Sequence, residues 1–203
     1  MRFYISLAVI AGILYTTPGY AADKWALLIG VGDYIHGTRF DLKGPVNDVR
    51  MMEELLLTKF GYEATNIRKL VNWDATKANI VDGVENWLAS VAKPEDTVVL
   101  YYSGHGSQIL DLSGDESDNR DEVLCPADIE YGSRGNEISD DELSTMFAKI
   151  KASDVTVIFD ACHAGTGTRG LDFSTGASSR PMEYRVLDLG YPSPRVATLA
   201  ILT

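Results

Sequence analysis

Two apolar runs, each followed at once by a side chain that can react, constrain the fold of this chain most strongly. The run TVVLYY at 97–102 leads into SGHGSQ, and the run VTVIF at 155–159 leads into DACHAG. Continuous β-prone apolar runs are typical of parallel strands that are covered on both faces. We therefore expect His105 and Cys162 just past the carboxyl ends of two buried strands, the edge at which open α/β sheets bind ligands. A thiol and an imidazole in one crevice can act as nucleophile and base.

Strand and helix patterns alternate along the chain up to this second run. Apolar runs predict strands at 25–31 and 67–71, and apolar residues at helical spacing predict a helix after each strand. This β-α-β-α-β order predicts an α/β fold with a parallel sheet, helices on both faces and right-handed crossovers. The expected helix boundaries are Pro45 with Asp48, Gly61, and Asp74 or Thr76. The expected core residues are Val49, Met52, Leu55 and Leu56 in the first helix, and Ile80, Val84, Trp87, Leu88 and Val91 in the second.

The chain changes character between its two reactive positions. Residues 111–122 are strongly acidic, and residues 123–128 read as a short extended piece. Ser139 with Glu142 forms a capping-box pattern that starts another helix. After 165 the sequence is loop-like until 196–202, which reads as one more strand.

Length and charge limit the classes of function. A chain of 203 residues is long enough for one domain with a full core. Its net charge of −11 argues against a nucleic-acid partner and favours basic substrates or cations. Residues 1–22 have the layout of a secretory signal peptide, so we expect an exported protein, periplasmic or extracellular; the alternative is that the segment is an uncleaved anchor. No second stretch is long enough to span a bilayer.

Two cysteines, Cys125 and Cys162, occur in this apparently exported chain. Export permits a disulfide, but two cysteines are too few for a stapled framework and a domain of this size does not need one. A bridge between them would silence the thiol at Cys162. We favour two free thiols, and a disulfide between them remains the alternative.

His105 is the preferred base among the three histidines. It has a glycine on either side, which lets backbone approach a substrate closely. His163 is the sequence neighbour of Cys162, so its ring is expected to point away from that side chain. His36 lies in a polar loop and is expected to be exposed.

The two motifs also carry a family resemblance. YYSGHGSQ at 101–108, the acidic GDESD at 114–118 and DACHAG at 160–165 resemble the type I metacaspases of bacterial kind (orthocaspases), among the caspase-like cysteine peptidases. The resemblance covers roughly 24–165. In caspases the histidine lies about 50 residues before the cysteine, and here the separation is 57 residues.

The resemblance implies a caspase-like three-layer sandwich and a cysteine endopeptidase. Residues 23–203 would form the peptidase domain, with a large-subunit-like part at 23–165, a loop at 166–195 and the start of a small-subunit-like part at 196–203. Cys162 would be the nucleophile and His105 the general acid and base. The N–H groups of Gly106 and Cys162 would form the oxyanion hole. No organic cofactor is implied.

The resemblance further implies cleavage after Arg or Lys in protein or peptide substrates. The matching pocket residues are Asp48, Ser103 and Asp160. An aspartate at a buried strand end is costly unless it is paired, and a substrate guanidinium would pair it. Asp48 could instead complement a helix dipole, and Asp160 could instead bond to local backbone.

Ca²⁺ activation is implied as well, at a site that falls on Asp121, Asp140 and Asp141. Ca²⁺ is commonly coordinated by several carboxylate oxygens. The alternative is that the helix-start aspartates only complement the helix dipole. Asp172 is a candidate further ligand, and Arg169 and Arg180 are candidate self-cleavage points.

The sequence departs from the family pattern in several places. The departures are Ala161, Ala164 and Asn119-Arg120, and the small-subunit-like part is represented by its first strand only. They motivate a second hypothesis, a catalytically inactive exported module that binds through a caspase-like fold. A third is a peptidase of the same clan with a different pocket. Oligomeric state and natural substrates are not indicated.

Overall fold

The structure is a computed structural model that describes residues 22–110, 120–130, 135–162, 183–185 and 196–202. For residues 120, 162, 183–185 and 196–202 it describes the backbone only. Nearly all of the predicted signal peptide, most of the loop 166–195, the acidic segment 111–119 and the residues Asp172, Arg169 and Arg180 lie outside the described residues. No helix in the part of the chain that is described is long and apolar enough to cross a membrane.

Side-chain alternation along the central strands sets the layers of the molecule. In β1 (Lys24–Gly30) every residue from Ala26 onwards is buried. Leu27 and Ile29 belong to one apolar cluster, whereas Ala26 and Leu28 belong to another. Because successive side chains of a strand point to opposite faces, β1 is covered on both faces, as predicted for a central parallel strand.

Seven further strands follow β1 along the chain. Their bounds are Ile67–Val71 for β2, Thr97–Leu110 for β3, Arg120–Leu124 for β4, Ile138–Ser139 for β5, Asp154–Cys162 for β6, Glu183–Arg185 for β7 and Val196–Leu202 for β8. The sheet has the order β2-β1-β3-β6-β8-β7. Strand β1 pairs in parallel with β2 and β3, and β6 pairs in parallel with β3 and β8. Only β7, on this path, is antiparallel to its neighbour.

Helices cover both faces of this sheet. Helix α1 (Pro45–Lys59) packs Val49 and Leu56 into the cluster that contains Ala26 and Leu28. Helix α2 spans residues 77–91 and includes a π-helical segment, Gly83–Leu88, and α3 is Asp140–Phe147. Both contribute to the cluster on the other face. The prediction of a three-layer α/β fold with a mostly parallel central sheet is confirmed.

The predicted helix boundaries are also observed. Gly61, just after α1, has a φ of +69°, a conformation that glycine adopts without strain. The Thr76 side chain accepts the Asn79 N–H at 3.3 Å and caps α2. Ser139 and Glu142 form the reciprocal capping box at the start of α3.

One predicted core position is wrong. Leu55 is 42% exposed. It lies six residues after Val49, which places it about 120° away around the helix at 3.6 residues per turn. The buried stripe of α1 therefore passes through Val49 and Leu56, and Leu55 falls on its flank.

The predicted ends of the two central strands also need correction. His105 does not follow β3 but lies inside it, and Cys162 is the last residue of β6. The reason is β4, which pairs antiparallel with β3 from Gly106 onwards. Strand β1 pairs with one edge of β3 only as far as Gly30, and β4 pairs with the same edge further along.

A buried carboxylate, Asp96, fixes the start of the sheet. It is 1% exposed and accepts the Asp23 N–H at 2.8 Å, the Trp25 Nε1–H at 3.1 Å and the Lys93 N–H at 2.9 Å. Burial alone would raise the pKa of Asp96, but these hydrogen bonds, together with the Lys93 charge, outweigh burial and hold the pKa below its ordinary value. The ionised form is therefore the one that stabilises the fold.

We predict that Asp96→Asn lowers the free energy of unfolding at pH 7 by about 1–3 kcal/mol, because an amide cannot accept all three donors. The contribution is complete above the ordinary carboxyl pKa of 3.8 and is lost as the pH falls below it. Urea unfolding at pH 7 and at about pH 3 should show the gap between wild type and variant closing in acid. Exposed Glu95→Gln is the matched control, and an equal gap at both pH values would contradict the prediction.

Candidate active site

The register of β3 against β6 brings the two motif residues to neighbouring positions. The Cα partners are Ser103↔Asp160 and, two residues on, His105↔Cys162. The second pair is the last in this parallel ladder. Both reactive residues therefore stand at the carboxyl edge of the sheet, on adjacent strands.

A backbone carbonyl and a tyrosine ring hold the His105 imidazole. Its Nε2 lies 2.9 Å from the Phe40 carbonyl oxygen, and its ring centroid lies 5.3 Å from that of Tyr34 at an angle of 37°. Because a carbonyl can only accept, Nε2 carries the hydrogen, and Nδ1 of the neutral ring is left as the acceptor. Burial lowers the pKa of His105, and the Phe40 carbonyl opposes this only in part. The neutral ring with a basic Nδ1 is therefore the form present at neutral pH.

Two tyrosine hydroxyls hold the backbone of His105. The Tyr34 hydroxyl accepts the His105 N–H at 2.9 Å. The Tyr102 hydroxyl, which is fully buried, lies 2.8 Å from both the His105 and the Cys125 carbonyl oxygens and shares its proton between them. A Cβ at Gly104 would lie 2.7 Å from the Tyr102 hydroxyl oxygen. The lack of a side chain at Gly104 thus makes room for the Tyr102 hydroxyl. The sequence had suggested a different role for this glycine, namely to let the backbone come close to a substrate.

The loop between β1 and α1, which supplies Tyr34 and Phe40, is itself anchored. Asn72 Oδ1 accepts the N–H groups of Gly32 and Asp33 at 3.0 and 3.1 Å, and its Nδ2 donates to the Asp33 carboxylate at 2.7 Å. Asn72 adopts a φ of +51° to do so. None of these residues was predicted from the sequence to belong to the site. The one signal was the break in the apolar run after β1.

The backbone N–H of Gly106 points away from β4. Val31 donates to the Ser103 carbonyl at 2.8 Å, and Cys125 donates to the His105 carbonyl at 3.0 Å, so these carbonyls use the β1 and β4 edge of the strand. Backbone groups of successive residues in a strand use opposite edges. Because the His105 carbonyl points towards β4, the N–H and C=O groups of Gly106 point away from it. The antiparallel pair Gly106↔Leu124 is therefore a non-hydrogen-bonded pair. The Gly106 N–H therefore faces the β6 edge, one residue past the His105↔Cys162 pair.

The three predicted pocket residues lie together on the α1 side of the sheet. Ser103 Oγ donates to Asp48 Oδ2 at 3.0 Å, and the Tyr101 hydroxyl donates to Asp160 Oδ2 at 3.2 Å. Burial raises the pKa of Asp160, the Tyr101 hydrogen bond lowers it, and the Asp48 charge raises it again. The two carboxylates are therefore close enough to repel each other. Tyr101 was not among the residues predicted for this pocket.

Gly30 permits this arrangement. It pairs with Ser103, which in turn pairs with Asp160. A Cβ at Gly30 would lie 2.8 Å from the Pro45 carbonyl oxygen. This oxygen belongs to the backbone of the helix, so it cannot move away as the end of a flexible side chain could. The missing side chain thus lets the first turn of α1 approach the strand end, so that Asp48 reaches Ser103.

The carboxylates predicted to bind Ca²⁺ lie where β4 meets the start of α3. Val123 of β4 pairs with Ser139, the residue before α3. Burial raises the pKa of Asp140 to about 6; the Asp141 N–H opposes this, and the charges of Glu122, Asp141 and Asp121 add to it. Among the described residues, no group of three or more Asp, Glu, His or Cys side chains is close enough to hold a metal ion.

The structure also locates Cys125 and His36, two further residues considered in the sequence. Cys125 is a buried free thiol, and burial, with a smaller contribution from the Glu137 charge, raises its pKa to about 12. It is therefore a poor nucleophile. His36 is exposed, as expected, and lies 3.7 Å from the Glu130 carboxylate.

Comparison with known proteins places the fold and both motifs in one family. Residues 24–169 match the family described as metacaspase, peptidase C14 domain. Metacaspase-1 of Candida albicans is 40% identical over 165 residues, which are 75% of this chain and 35% of that protein. Metacaspase-1 of Ajellomyces capsulatus is 40% identical over 163 residues, or 76% of this chain and 44% of that protein.

One solved structure is also similar to this chain. The crystal structure of a protein from Geobacter sulfurreducens is similar with a TM-score of 0.56 and 28% identity, over 71% of this chain and 52% of that one. The chain spans less than half the length of the two curated relatives above. Because the matched segment contains both the SGHG and the DACH motif, the chain belongs to the metacaspase family of C14 peptidases, with a caspase-like α/β fold.

Proposed function

We propose that this protein is a cysteine endopeptidase that cleaves peptide bonds after Arg or Lys, with Cys162 as nucleophile and His105 as general acid and base. Membership of the metacaspase family supports the peptidase class. The observation that carries the proposal is the pairing of His105 with Cys162, two residues beyond the pair of Ser103 and Asp160. Reactive groups and acidic groups thus share one sheet edge.

The proposed reaction begins with transfer of the Cys162 thiol proton to His105. The thiolate attacks the scissile carbonyl carbon, and the tetrahedral intermediate collapses with cleavage of the C–N bond while His105 returns the proton to the leaving amine. Water then hydrolyses the thioester, with His105 acting as base, and the thiol is regenerated. The Phe40 carbonyl supports this role because it fixes the tautomer that leaves Nδ1 basic.

The oxyanion of the tetrahedral intermediate would be held by backbone donors. The Gly106 N–H is suited to this role because it faces the β6 edge and is not used in pairing with β4. The Cys162 N–H would be the second donor. A well-placed donor of this kind contributes on the order of 3 kcal/mol to transition-state stabilisation.

Two neighbouring carboxylates support the preference for a basic residue. Asp48 and Asp160 lie close enough to repel each other, and each accepts a hydrogen bond from a hydroxyl group. A guanidinium or ammonium group of a substrate would remove this repulsion. Arg can donate to both carboxylates at once.

We predict that the protein hydrolyses fluorogenic peptides ending in Arg or Lys and not those ending in Asp. Cys162→Ala should lower kcat/KM by at least about a thousandfold, since the nucleophile is removed. Cys125→Ala is the matched control and should keep most of the activity, because that thiol is buried and its pKa is high. Full turnover by Cys162→Ala, or a preference for the Asp reporter, would contradict the proposal.

We further propose that Ca²⁺ binds at Asp121, Asp140 and Asp141. The donors are hard carboxylate oxygens, which suit this ion, and strand pairing brings β4 next to the start of α3. The described side chains do not by themselves make a three-ligand set, so the proposal rests on donor chemistry and on the mutual repulsion of these carboxylates. When bound, the ion would neutralise that repulsion.

We also propose that the protein is exported, because residues 1–22 resemble a signal peptide. Export would expose the site to extracellular Ca²⁺.

We predict that millimolar Ca²⁺ raises the melting temperature of wild type, measured by differential scanning fluorimetry in chelator-treated buffer. The shift should be much smaller in Asp140→Asn, which removes one charged ligand. Asp74→Asn, at an exposed turn, is the control and should keep the full shift. An unchanged shift in Asp140→Asn, or none in wild type, would refute the proposed site.

A further inference from the structure

Tyr101 belongs to the acidic pocket although it reads as an apolar strand residue. Its side chain is 5% exposed, and its ring packs in the apolar cluster on the α1 side of the sheet. Its hydroxyl is the part that leaves this cluster, and it donates to Asp160 Oδ2 at 3.2 Å.

Strand register explains how Tyr101 reaches Asp160. Tyr101 pairs with Ile158, so Asp160 is its diagonal neighbour, two residues further along β6. Diagonal neighbours on one sheet face lie within reach of an aromatic side chain. Tyr101 and Ser103 share this face because they are two residues apart. Each then supplies one hydroxyl to one carboxylate, Tyr101 to Asp160 and Ser103 to Asp48.

We propose that Tyr101 is a positioning residue that determines specificity, because its hydroxyl holds the Asp160 carboxylate in the orientation that receives a basic substrate side chain. This inference rests on the proposed function of the pocket. The role differs from that of Asp48 and Asp160, because Tyr101 itself would not touch the substrate. It acts through Asp160.

The physical need for such a group follows from the pocket itself. Asp160 is half-buried and repelled by Asp48, so without a donor it would turn away or take up a proton. Tyr101 occupies one acceptor direction of Oδ2 and leaves the rest of the carboxylate for a ligand. Burial, followed by the charges of Asp160 and Asp48, raises the pKa of Tyr101 far above its ordinary value. The hydroxyl is therefore a neutral donor at neutral pH.

The test compares two isosteric changes that each remove one hydroxyl. Tyr101→Phe removes the donor to Asp160. Tyr62→Phe is the matched control, because Tyr62 is also a buried tyrosine of the same apolar cluster, 7% exposed. The readouts are KM and kcat on a peptide reporter ending in Arg, and the melting temperature of each variant.

We expect Tyr101→Phe to raise KM about tenfold, the size of a hydrogen bond to a charged group, while kcat changes less than about twofold. Tyr62→Phe should leave both constants near those of wild type. A fall in kcat with unchanged KM, or equal effects of the two variants on KM, would overturn the proposal.

Two further measurements separate this inference from the proposed function. Agmatine, which carries a guanidinium but no acyl group, is titrated calorimetrically into Cys162→Ala and into the same protein with Tyr101→Phe. Weaker binding to the second supports the inference even if no peptide is cleaved, and equal binding overturns it. In a double-mutant cycle, Tyr101→Phe should have no further effect on agmatine affinity once Asp160 is Asn. A full additive loss would assign Tyr101 a merely structural role.

Discussion

The pairing of β3 with β6 is the interaction on which the rest of the candidate site depends. It sets Ser103, the last β3 residue that pairs with β1, against Asp160, and it continues for two more residues to set His105 against Cys162. A slip by one residue would move every side chain of one strand to the other face of the sheet. The acidic pocket and the reactive pair would then separate. Apolar residues packed on both faces of these strands oppose such a slip.

Around this register, the loop after β1 and the first turn of α1 bring the remaining groups. The loop supplies the Phe40 carbonyl and the Tyr34 hydroxyl to His105, and Asn72 anchors it. The helix supplies Asp48, because Gly30 leaves space for its first turn. Elements far apart in sequence thus determine the tautomer of the base and the charge of the pocket. This division suits the proposed peptidase activity, in which the α1 side would recognise a basic side chain and the sheet edge would carry the cleavage.

The sequence predicts what depends on local patterns and misses what depends on distant contacts. Periodicity and caps predicted the strands, Gly61, Thr76 and the capping box, because each reports a local conformational requirement. Leu55 was assigned to the core because apolar spacing alone does not locate the flank of a helix. The extension of β3 past His105 depends on β4, a partner with little apolar signal. The Phe40 carbonyl is a backbone atom, and no side-chain pattern marks it. Tyr101 looked like one more core residue because its ring is apolar and its hydroxyl partner lies 59 positions away.

The most direct test of the central claim is covalent labelling with a peptidyl arginyl chloromethyl ketone, followed by mass spectrometry of the modified site. If strand register joins a reactive thiol to an acidic pocket, the reagent modifies Cys162 with one label per chain and leaves the buried Cys125 untouched. The aspartyl counterpart of the reagent should label neither residue. Labelling of Cys125 instead of Cys162, or equal labelling of Cys162 by the arginyl and aspartyl reagents, would contradict this arrangement.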